Sequence, residues 1–331
     1  MKIGITFDLK ADLPAGHDFP DDHQEEFDSP ATIEAIAAVL RARGHEAVPL
    51  GNGPELLRKL LDDPPDLVFN LAEGQGTSRS REARVPAVLE MLGIPYTGSD
   101  PLTLAVTLDK DVARRLVRSH GGVVPRGEVF APGADLAAVR SRPELAYTTI
   151  VKPAWEGSSK GIRGKCVVDT PAELADALAE RRDQRQPLLA EEFIAGEELT
   201  VGVLGNEWPR VVGVLHVVPV KATPRFVYSL EVKRDYIGVI RYDCPPRLPA
   251  EHLRSVEKAA LLAYRALGCR DVSRLDFRLR DGVPYFLEVN PLPGLNPETS
   301  DLVILARMAG LGYEGLIEGI LDAAMKRYGL A

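Results

Sequence analysis

The sequence predicts a mixed fold in which a parallel α/β unit is followed by two α+β units. Over residues 1–100, short apolar strands alternate with amphipathic helices, which is typical of a small parallel sheet. Over the rest of the chain the strands are longer and no longer alternate regularly with helices, which indicates α+β architecture. The Asp281–Gly282 pair lies between two strand-like runs and indicates a β-hairpin near the C terminus.

The first unit opens with the apolar run Ile3–Phe7, which we interpret as a buried strand. Ser29 is a favourable N-cap and Pro30 suits the first helical position, so a helix is predicted from there to about residue 42. The other predicted elements of this unit are the strands Glu46–Leu50 and Asp66–Leu71 and the helices Pro54–Leu61 and Ser80–Met91. The polar, acidic insertion at residues 8–28 is expected to form a loop.

Residues 101–194 and residues 195–331 form the second and third predicted units, and we expect the three units to be separate domains. The second unit is predicted to contain the helix Thr107–His120, the strands Glu128–Phe130, Tyr147–Lys152 and Ile162–Val168, a helix from Pro171 to about Arg182, and the strand Leu188–Phe193. The third is predicted to contain the strands Leu199–Leu204 and Val211–Val220, an irregular stretch at Lys221–Pro246, the helix Ala250–Leu267, the hairpin and terminal helices.

Composition narrows the class of protein. The chain has 331 residues and a formal net charge of −8, and it shows no basic stripe, which argues against a nucleic-acid partner. Its three cysteines, Cys166, Cys244 and Cys269, lack the paired spacing of a disulfide framework, which favours a reducing compartment. Neither a signal peptide nor an apolar run long enough to span a bilayer is visible, so we expect a cytoplasmic enzyme without a membrane partner.

The two strands of the predicted hairpin carry polar side chains among apolar ones. Because side chains alternate along a strand, Arg274 shares a face with Asp276, and Glu288 shares a face with Asn290. Pairing of the strands would bring all four together. Two carboxylates and an amide oxygen suit magnesium better than zinc, and a guanidinium beside them suits phosphoryl chemistry. The alternative is a set of ordinary surface ion pairs.

Two further segments have the chemistry of a nucleotide site. Lys152 ends a predicted strand and leads into a glycine- and serine-rich loop up to Gly161, whose backbone N–H groups suit phosphate oxygens; the alternative is a plain turn. Glu191 and Glu192 end another strand, where exposed backbone can pair with an adenine edge, and the carboxylate of Glu198 can accept both ribose hydroxyls. The alternative for this second segment is a solvated acidic turn.

Four motifs occur in a characteristic order: LDK at Leu108–Lys110, VKPAWEGSSKG at Val151–Gly161, EEFIAGEELTVGVLG at Glu191–Gly205, and RLDFRL with FLEVNPLPGLNP within Arg274–Pro297. In order and spacing they resemble the motifs of the ATP-grasp superfamily, and most closely those of the D-alanine–D-alanine ligase family. The resemblance covers nearly the whole chain and includes GIPYTGSD at Gly93–Asp100. Four separated motifs in order are more specific than any single motif.

The resemblance implies an ATP-grasp fold of three domains, with ATP between the central and C-terminal domains. The cofactor residues it implies are Lys110 and Lys152 at the phosphates, Ser159 in the loop over them, Lys233 in a mobile loop, Glu191, Glu192 and Ile194 at adenine, and Glu198 at ribose. The metal ligands it implies are Asp276, Glu288 and Asn290, for two Mg²⁺ ions with Mn²⁺ as the alternative. The catalytic residues it implies are Arg274 and the Gly294 backbone at an oxyanion, together with Ser158.

The reaction implied by the resemblance joins two small, amino-acid-like substrates. One substrate carboxylate attacks the γ-phosphate of ATP to give an acyl phosphate, and the amine of the second substrate then attacks this acyl group. ATP is required because a carboxylate is a poor electrophile near neutral pH. Since members of the family are commonly dimers, a homodimer is also expected.

The chain departs from the family pattern around the amino-acid pocket. The glycine-rich turn that carries an ammonium-binding glutamate is replaced by the acidic insertion, and counting back from the first helix puts Glu25 at that position. A lysine–tyrosine pair becomes Lys233–Arg234, a histidine-containing turn becomes Ala72-Glu73-Gly74, and a Ser-Leu pair becomes Thr299-Ser300-Asp301. We therefore expect altered substrates, contacted by Glu25, Arg234, Ser300 and Asp301.

Other functions remain open at this level. One is a related ligase of specialised metabolism with a substrate other than alanine. Another is a nucleotide-binding protein without turnover, although such a protein would not need both the carboxylates and the arginine of the hairpin. A bicarbonate-activating carboxylase is less favoured, because the sequence contains no biotin-carrier segment.

Overall fold

The computed structural model describes residues 1–10, 22, 24–145, 147–157, 160–161, 166–181, 186–221, 223 and 225–330. These residues form three β-sheets, one in each of the three units predicted from the sequence. No helix in the described ranges is both long and apolar enough to cross a membrane.

The first sheet is parallel and has the strand order β2-β1-β3. Its strands are β1 (Lys2–Thr6), β2 (Glu46–Pro49) and β3 (Leu67–Asn70), and its helices are α1 (Pro30–Ala42), α2 (Gly53–Asp62) and α3 (Arg84–Leu92). The Ser29 hydroxyl accepts a hydrogen bond from the Thr32 N–H at 3.2 Å, so the predicted N-cap is confirmed. Helix α3 begins at Arg84 rather than Ser80, because hydrogen-bonded turns occupy the preceding residues.

The second unit begins with two helices, α4 (Pro101–Leu108) and α5 (Lys110–Ser119), where we predicted only the single helix Thr107–His120. The helices are separate because the Asp109 side chain caps α5, accepting hydrogen bonds from the N–H groups of Asp111 and Val112 at 3.1 Å. The antiparallel sheet that follows, in the order β4-β7-β5-β6, contains β4 (Gly127–Phe130), β5 (Thr149–Pro153), β6 (Val167–Val168) and β7 (Leu188–Glu192). Helices α6 (Leu136–Arg140), which was not predicted, and α7 (Pro171–Glu180) contact each other beside it.

The third sheet is also antiparallel and has the order β10-β9-β8-β11-β12. Its strands are β8 (Glu197–Leu204), β9 (Arg210–Pro219), β10 (Ile240–Asp243), β11 (Val272–Arg280) and β12 (Val283–Asn290). Its helices are α8 (Leu230–Arg234), α9 (Ala250–Ala266), α10 (Asp301–Met308) and α11 (Gly312–Tyr328). The prediction of an irregular stretch at Lys221–Pro246 was wrong in part, since α8 and β10 lie within it.

One hydrophobic core joins the first unit to the end of the chain. Ile3 and Ile36 of the first unit belong to the same buried cluster as Val303 of α10 and Ile320 of α11. A second core lies between α9 and the third sheet, and a third lies between α7 and the second sheet. This packing brings loops of all three units to the C-terminal end of the β11–β12 hairpin, where the polar residues lie.

Candidate active site

The β11–β12 hairpin forms the floor of the candidate site. Its register pairs Arg274 with Asn290 and Asp276 with Glu288, as the alternation of side chains predicts. The register shifts directly after Asp276, which marks a β-bulge. The four polar residues therefore lie side by side at one end of the hairpin.

The charges on this floor are balanced by neighbouring cations. The Arg274 guanidinium donates to Asp276 Oδ2 at 3.0 Å, and Lys110 Nζ lies 3.2 Å from Glu288 Oε2. Burial would raise the pKa of Glu288, but Lys110 and other nearby cations outweigh it and lower this pKa to about 2. For Asp276, burial dominates and raises the pKa, although Arg274 opposes the shift.

These side chains have the donor set of a magnesium site. Asp276, Glu288 and Asn290 offer oxygen atoms only, and the Asn290 oxygen is oriented by the Leu292 N–H, which donates to it at 2.9 Å. Within the described ranges no three His, Cys, Asp or Glu side chains cluster in metal-binding geometry. Three oxygen donors would leave coordination positions open for phosphate oxygens if Mg²⁺ were bound here.

A cavity between the second and third sheets, here called the inter-sheet cavity, opens beside this floor. Its lining includes Lys152, Glu191, Phe193, Ile194, Glu198, Lys233, Asp276, Arg278, Glu288 and Asp301. Lys152 Nζ lies 2.6 Å from Glu191 Oε1, and both side chains are buried. The second oxygen of Glu191 accepts no hydrogen bond from any described residue, so a buried acceptor is left for a ligand donor.

At the far end of the inter-sheet cavity, Glu198 is held by an arginine. Arg278 Nη2 donates to Glu198 Oε2 at 2.6 Å, and its guanidinium lies 5.3 Å from the centre of the Phe193 ring. Burial raises the pKa of Glu198 despite this partner. Glu192 instead accepts hydrogen bonds from Arg126 and Arg280 at 3.0 and 2.9 Å, and its N–H donates to the Arg126 carbonyl oxygen at 2.7 Å.

The near end of the inter-sheet cavity contains Lys233 and Asp301. Their charged atoms are 4.0 Å apart, and Asp301 also lies 3.7 Å from the Arg274 guanidinium. Asp301 accepts a hydrogen bond from the Tyr228 hydroxyl at 3.0 Å. Asp301, which we expected to contact the substrate, is therefore linked by charge to Arg274 of the floor and to Lys233.

A second cavity, here called the acidic cavity, lies on the other side of the floor. It is lined by Glu26, Glu73, Glu82, Thr107, Leu108, Lys110, Glu156, Gly157, Arg274, Glu288 and Asn290, among others. Glu288 lines both cavities. Ser158 and Ser159, which follow Gly157, lie outside the described residues.

The comparisons with known proteins agree with this geometry. Residues 133–322 match the family model described as "D-ala D-ala ligase C-terminus". The chain is 35% identical over 297 residues to a D-alanine–D-alanine ligase of Geobacter sulfurreducens, covering 88% of this chain and 87% of the relative. It is also 35% identical over 309 residues to the uncharacterized protein y4sG of Sinorhizobium fredii, covering 89% and 88% of the two chains.

The chain belongs to the D-alanine–D-alanine ligase family. It is therefore an ATP-dependent ligase. The crystal structure of a D-alanine–D-alanine ligase from Bacillus anthracis complexed with ATP matches with a TM-score of 0.75 and 24% identity, covering 99% of each chain. At this identity the match shows the fold, and it confirms the ATP-grasp architecture predicted from the four motifs.

Membership of the D-alanine–D-alanine ligase family does not fix the amino-acid side of the site, where the structure differs from expectation. Arg234 Nε donates to Glu25 Oε1 at 2.8 Å, and neither residue lines the inter-sheet or the acidic cavity. Arg234 is thus engaged with the glutamate that we had aligned with the ammonium-binding position. Glu26, the next residue, points into the acidic cavity instead.

Gly294 and Ser300 lie together beyond the floor. The Ser300 hydroxyl accepts the Asn296 N–H at 2.9 Å, and a Cβ atom on Gly294 would lie 3.0 Å from this hydroxyl oxygen. Only glycine fits there without displacing Ser300.

Sequence reasoning assigned no role to Arg278 or Glu82, which line the inter-sheet cavity and the acidic cavity, respectively. It considered Glu26, beside Glu25, as a carboxylate that could hold a substrate ammonium, and it noted Glu73 only within the turn that departs from the family pattern. Arg278 continues the alternating pattern of Arg274 and Asp276 along β11, so the same period-two reading could have found it. The three glutamates come from segments that no local pattern connects.

Proposed function

We propose that this ligase joins the carboxylate of one small amino-acid-like substrate to the amine of another through an acyl phosphate. The observation that carries the proposal is that Glu288 lies between two cavities. The inter-sheet cavity contains lysines that suit a nucleotide, and the acidic cavity combines carboxylates with Lys110 and Arg274, which suits a small substrate that carries both charges. A phosphoryl group could pass from one cavity to the other beside Glu288, which lines both.

In the inter-sheet cavity we assign the nucleotide contacts to groups that can still accept a hydrogen bond or neutralise phosphate charge. The unpartnered Glu191 oxygen would accept the adenine amino group, beside the backbone of Glu192 and the apolar wall of Ile194. Glu198, steadied by Arg278, would accept the ribose hydroxyls. Lys110, Lys152 and Lys233, with Ser159 in the loop over them, would neutralise phosphate charge.

The metal residues fit this assignment. Asp276, Glu288 and Asn290 would hold two Mg²⁺ ions, with Mn²⁺ as the alternative, and bound metal would offset the negative charge that builds up on the phosphates. Lys110 and Arg274 now balance these carboxylates at 3.2 and 3.0 Å, and each has hydrogen-bond donors left for the phosphates or an oxyanion.

The chemistry then follows in two balanced steps. A carboxylate oxygen of the first substrate attacks the γ-phosphorus, and the bond to the ADP oxygen breaks. The amine of the second substrate attacks the acyl carbon, the tetrahedral oxyanion collapses, and phosphate leaves while the nitrogen loses a proton. Arg274 and the Gly294 N–H would stabilise the oxyanion, with Ser158 near the first substrate and Ser300 and Asp301 near the second.

We further propose a homodimer that works in the cytoplasm without nucleic-acid or membrane partners. The dimer is supported by the family resemblance alone. Light scattering coupled to size-exclusion chromatography tests it, and a mass near 36.0 kDa, that of one chain, would contradict it.

The central test is acid- and amine-dependent release of phosphate from ATP. D-Alanine is the reference substrate because relatives carry it in their names. We expect Mg²⁺-dependent release that falls about 10³-fold in Glu288→Gln, since this variant removes a charge from the point of transfer. The matched control is Glu251→Gln, because Glu251 is an exposed glutamate of α9.

Mass spectrometry of the products separates the alternatives. A condensed product formed with ADP and phosphate is expected. Nucleotide binding without turnover under any substrate pair would instead indicate a binding protein, and turnover that needed bicarbonate rather than an amine would indicate a carboxylase.

A further inference from the structure

Asp301 places a buried negative charge beside the floor of the candidate site. It is the first residue of α10, it is 9% exposed, and it lines the inter-sheet cavity. Its Oδ2 atom lies 3.7 Å from Nη1 of Arg274 and 4.0 Å from Nζ of Lys233. Two cations beside the site therefore face the same carboxylate of the protein itself.

The carboxylate of Asp301 is held in a fixed orientation. Its Oδ1 atom accepts hydrogen bonds from the Tyr228 hydroxyl at 3.0 Å and from the Tyr242 hydroxyl at 3.4 Å, and the two hydroxyls are 2.6 Å apart. Burial and the charge of Asp301 raise the pKa of both tyrosines, so both remain hydrogen-bond donors near neutral pH. The N terminus of α10 also favours a negative charge at this position.

The cation nearest to Asp301 already faces two other carboxylates. The Arg274 guanidinium donates to Asp276 Oδ2 at 3.0 Å and lies 3.9 Å from Glu288 Oε1. A carboxylate brought to this point from outside would also meet the charge of Asp301, and like charges repel strongly in a buried site because solvent screens them little. Asp301 is not among the residues assigned to metal, so bound Mg²⁺ would leave its charge in place.

Asp301 is close enough to the reacting groups to act on the second substrate. Arg274, which we assign to the oxyanion, is 3.7 Å from Asp301, so a molecule of only a few atoms can contact both residues. An amine that attacks the acyl carbon beside Arg274 would bring the substituent next to its amino group close to Asp301. In an amino acid this substituent is a carboxylate.

We propose that Asp301 excludes a carboxylate from the second substrate, so that the acceptor is an amine with a neutral or cationic N–H donor in its place. A carboxamide or a second amino group would donate a charge-assisted hydrogen bond to Asp301, whereas a carboxylate would be repelled. The amide bond still forms at the amino nitrogen, which loses a proton while phosphate leaves. The inference rests on the proposed function and names the class of its second substrate.

The experiment lets two acceptors compete for one activated acid. D-Alanine and D-alaninamide are supplied at equal concentrations with ATP and Mg²⁺, and mass spectrometry measures the ratio of the two condensed products. D-Alaninamide has no carboxylate to activate, so D-alanine is the acid in both products and the ratio reports the acceptor alone. We expect the wild-type protein to form about tenfold more of the product that contains the amide. Where a different amino acid supports phosphate release, that amino acid and its amide take these places.

Asp301→Asn keeps the shape of the side chain and removes its charge. We expect it to shift the product ratio toward the amino acid by about ten- to hundredfold. Because the ratio is compared between proteins, the different basicity of the two amines cancels. The matched control is Asp322→Asn, since Asp322 forms an exposed ion pair with Arg43 at 2.6 Å, and this variant should leave the ratio unchanged.

Tyr242→Phe separates the effect of charge from an effect of structure. This variant removes a hydrogen bond to Asp301 and keeps the charge, so the product ratio should stay within about twofold of wild type. A shift as large as that of Asp301→Asn would mean that the network acts through the shape of the site, and it would overturn the proposal. Equal use of the two acceptors by the wild-type protein would also overturn it, while leaving the ligase intact.

If no acid gives a condensed product, the proposed function fails, and binding then decides the role of Asp301. Calorimetry with a non-hydrolysable ATP analogue present measures the Kd of D-alaninamide. Binding that is about tenfold weaker in Asp301→Asn would support the proposal. Equal affinity of the two proteins, or an absence of binding to the wild-type protein, would overturn it.

Discussion

The inter-sheet cavity and the acidic cavity share Glu288 but differ in how their charges are paired. In the inter-sheet cavity the main ion pairs, Lys152 with Glu191 and Arg278 with Glu198, are simple and local, and each has spare capacity for a nucleotide. In the acidic cavity, Glu26 and its partners form a closed network, while Glu73 and Glu82 are left out of it. The first arrangement suits a nucleotide, and we propose that the second governs the choice of amino-acid substrate.

The largest expected effect comes from breaking the closed network of the acidic cavity. Arg81 is 1% exposed and contacts both Glu26 and Glu156, at 3.0 and 3.3 Å. Arg81→Met would remove one of the two cations that pair with both carboxylates and leave only Lys160, and we expect it to lower the free energy of unfolding by about 3–5 kcal/mol. Urea unfolding followed by tryptophan fluorescence measures this.

Arg58→Met is the matched control, because Arg58 pairs with Glu55 on the exposed face of α2. Its expected cost is below about 1 kcal/mol. A similar cost for both variants would mean that the network does not stabilise this wall, and the contrast between the two cavities would then lose its energetic basis.

The sequence was sufficient for the floor between the two cavities, because the pattern that predicts it is local. Strand alternation places Arg274, Asp276, Glu288 and Asn290 together, and the pairing of two adjacent strands follows from one turn. The break between α4 and α5 could have been found as well, because Asp109 is a good N-cap in the middle of the supposed helix.

The acidic cavity could not be derived in this way. Glu26 lies within the acidic insertion, and Glu73 and Glu82 flank a turn in another segment, so only tertiary packing brings all three to the cavity that Glu288 also lines. Nothing in the local pattern distinguishes Glu25 from Glu26. The two neighbours differ because Arg234 holds one outside while Arg81 draws the other in.

An intermediate effect is expected from the titration of Glu82. Its pKa in the folded protein, about 7, lies above the ordinary value of 4.5, so the folded state binds a proton that the unfolded state has released. Stability should therefore fall as the pH rises from about 4.5 to 7. Glu82→Gln removes this loss, and we expect its advantage over wild type to grow by up to about 3 kcal/mol across this window.

Urea unfolding of both proteins at a series of pH values measures this difference. The charged groups that act on Glu82 include Arg81, Glu26, Lys110 and Lys160. Glu82 in turn helps to raise the pKa of Glu73, so the difference reports Glu82 together with the groups that interact with it. A difference that did not change with pH would contradict the assignment. Glu26 should show the opposite sign, since its pKa of about 2 means that stability is lost as the pH falls from 4.5 toward 2.

The smallest expected effect is the most direct test of which glutamate serves the substrate. Glu25 is bound by Arg234 at the surface, away from both cavities, so Glu25→Gln should cost less than about 1 kcal/mol of stability. It should leave the KM for the amino acid within about twofold of wild type, because a pair in solvent transmits little to a buried site. Steady-state kinetics of Glu25→Gln and Glu82→Gln, measured side by side, compares their KM values for the amino acid. An increase in amino-acid KM for Glu25→Gln as large as that for Glu82→Gln would place the substrate ammonium at Glu25, as the family resemblance implies.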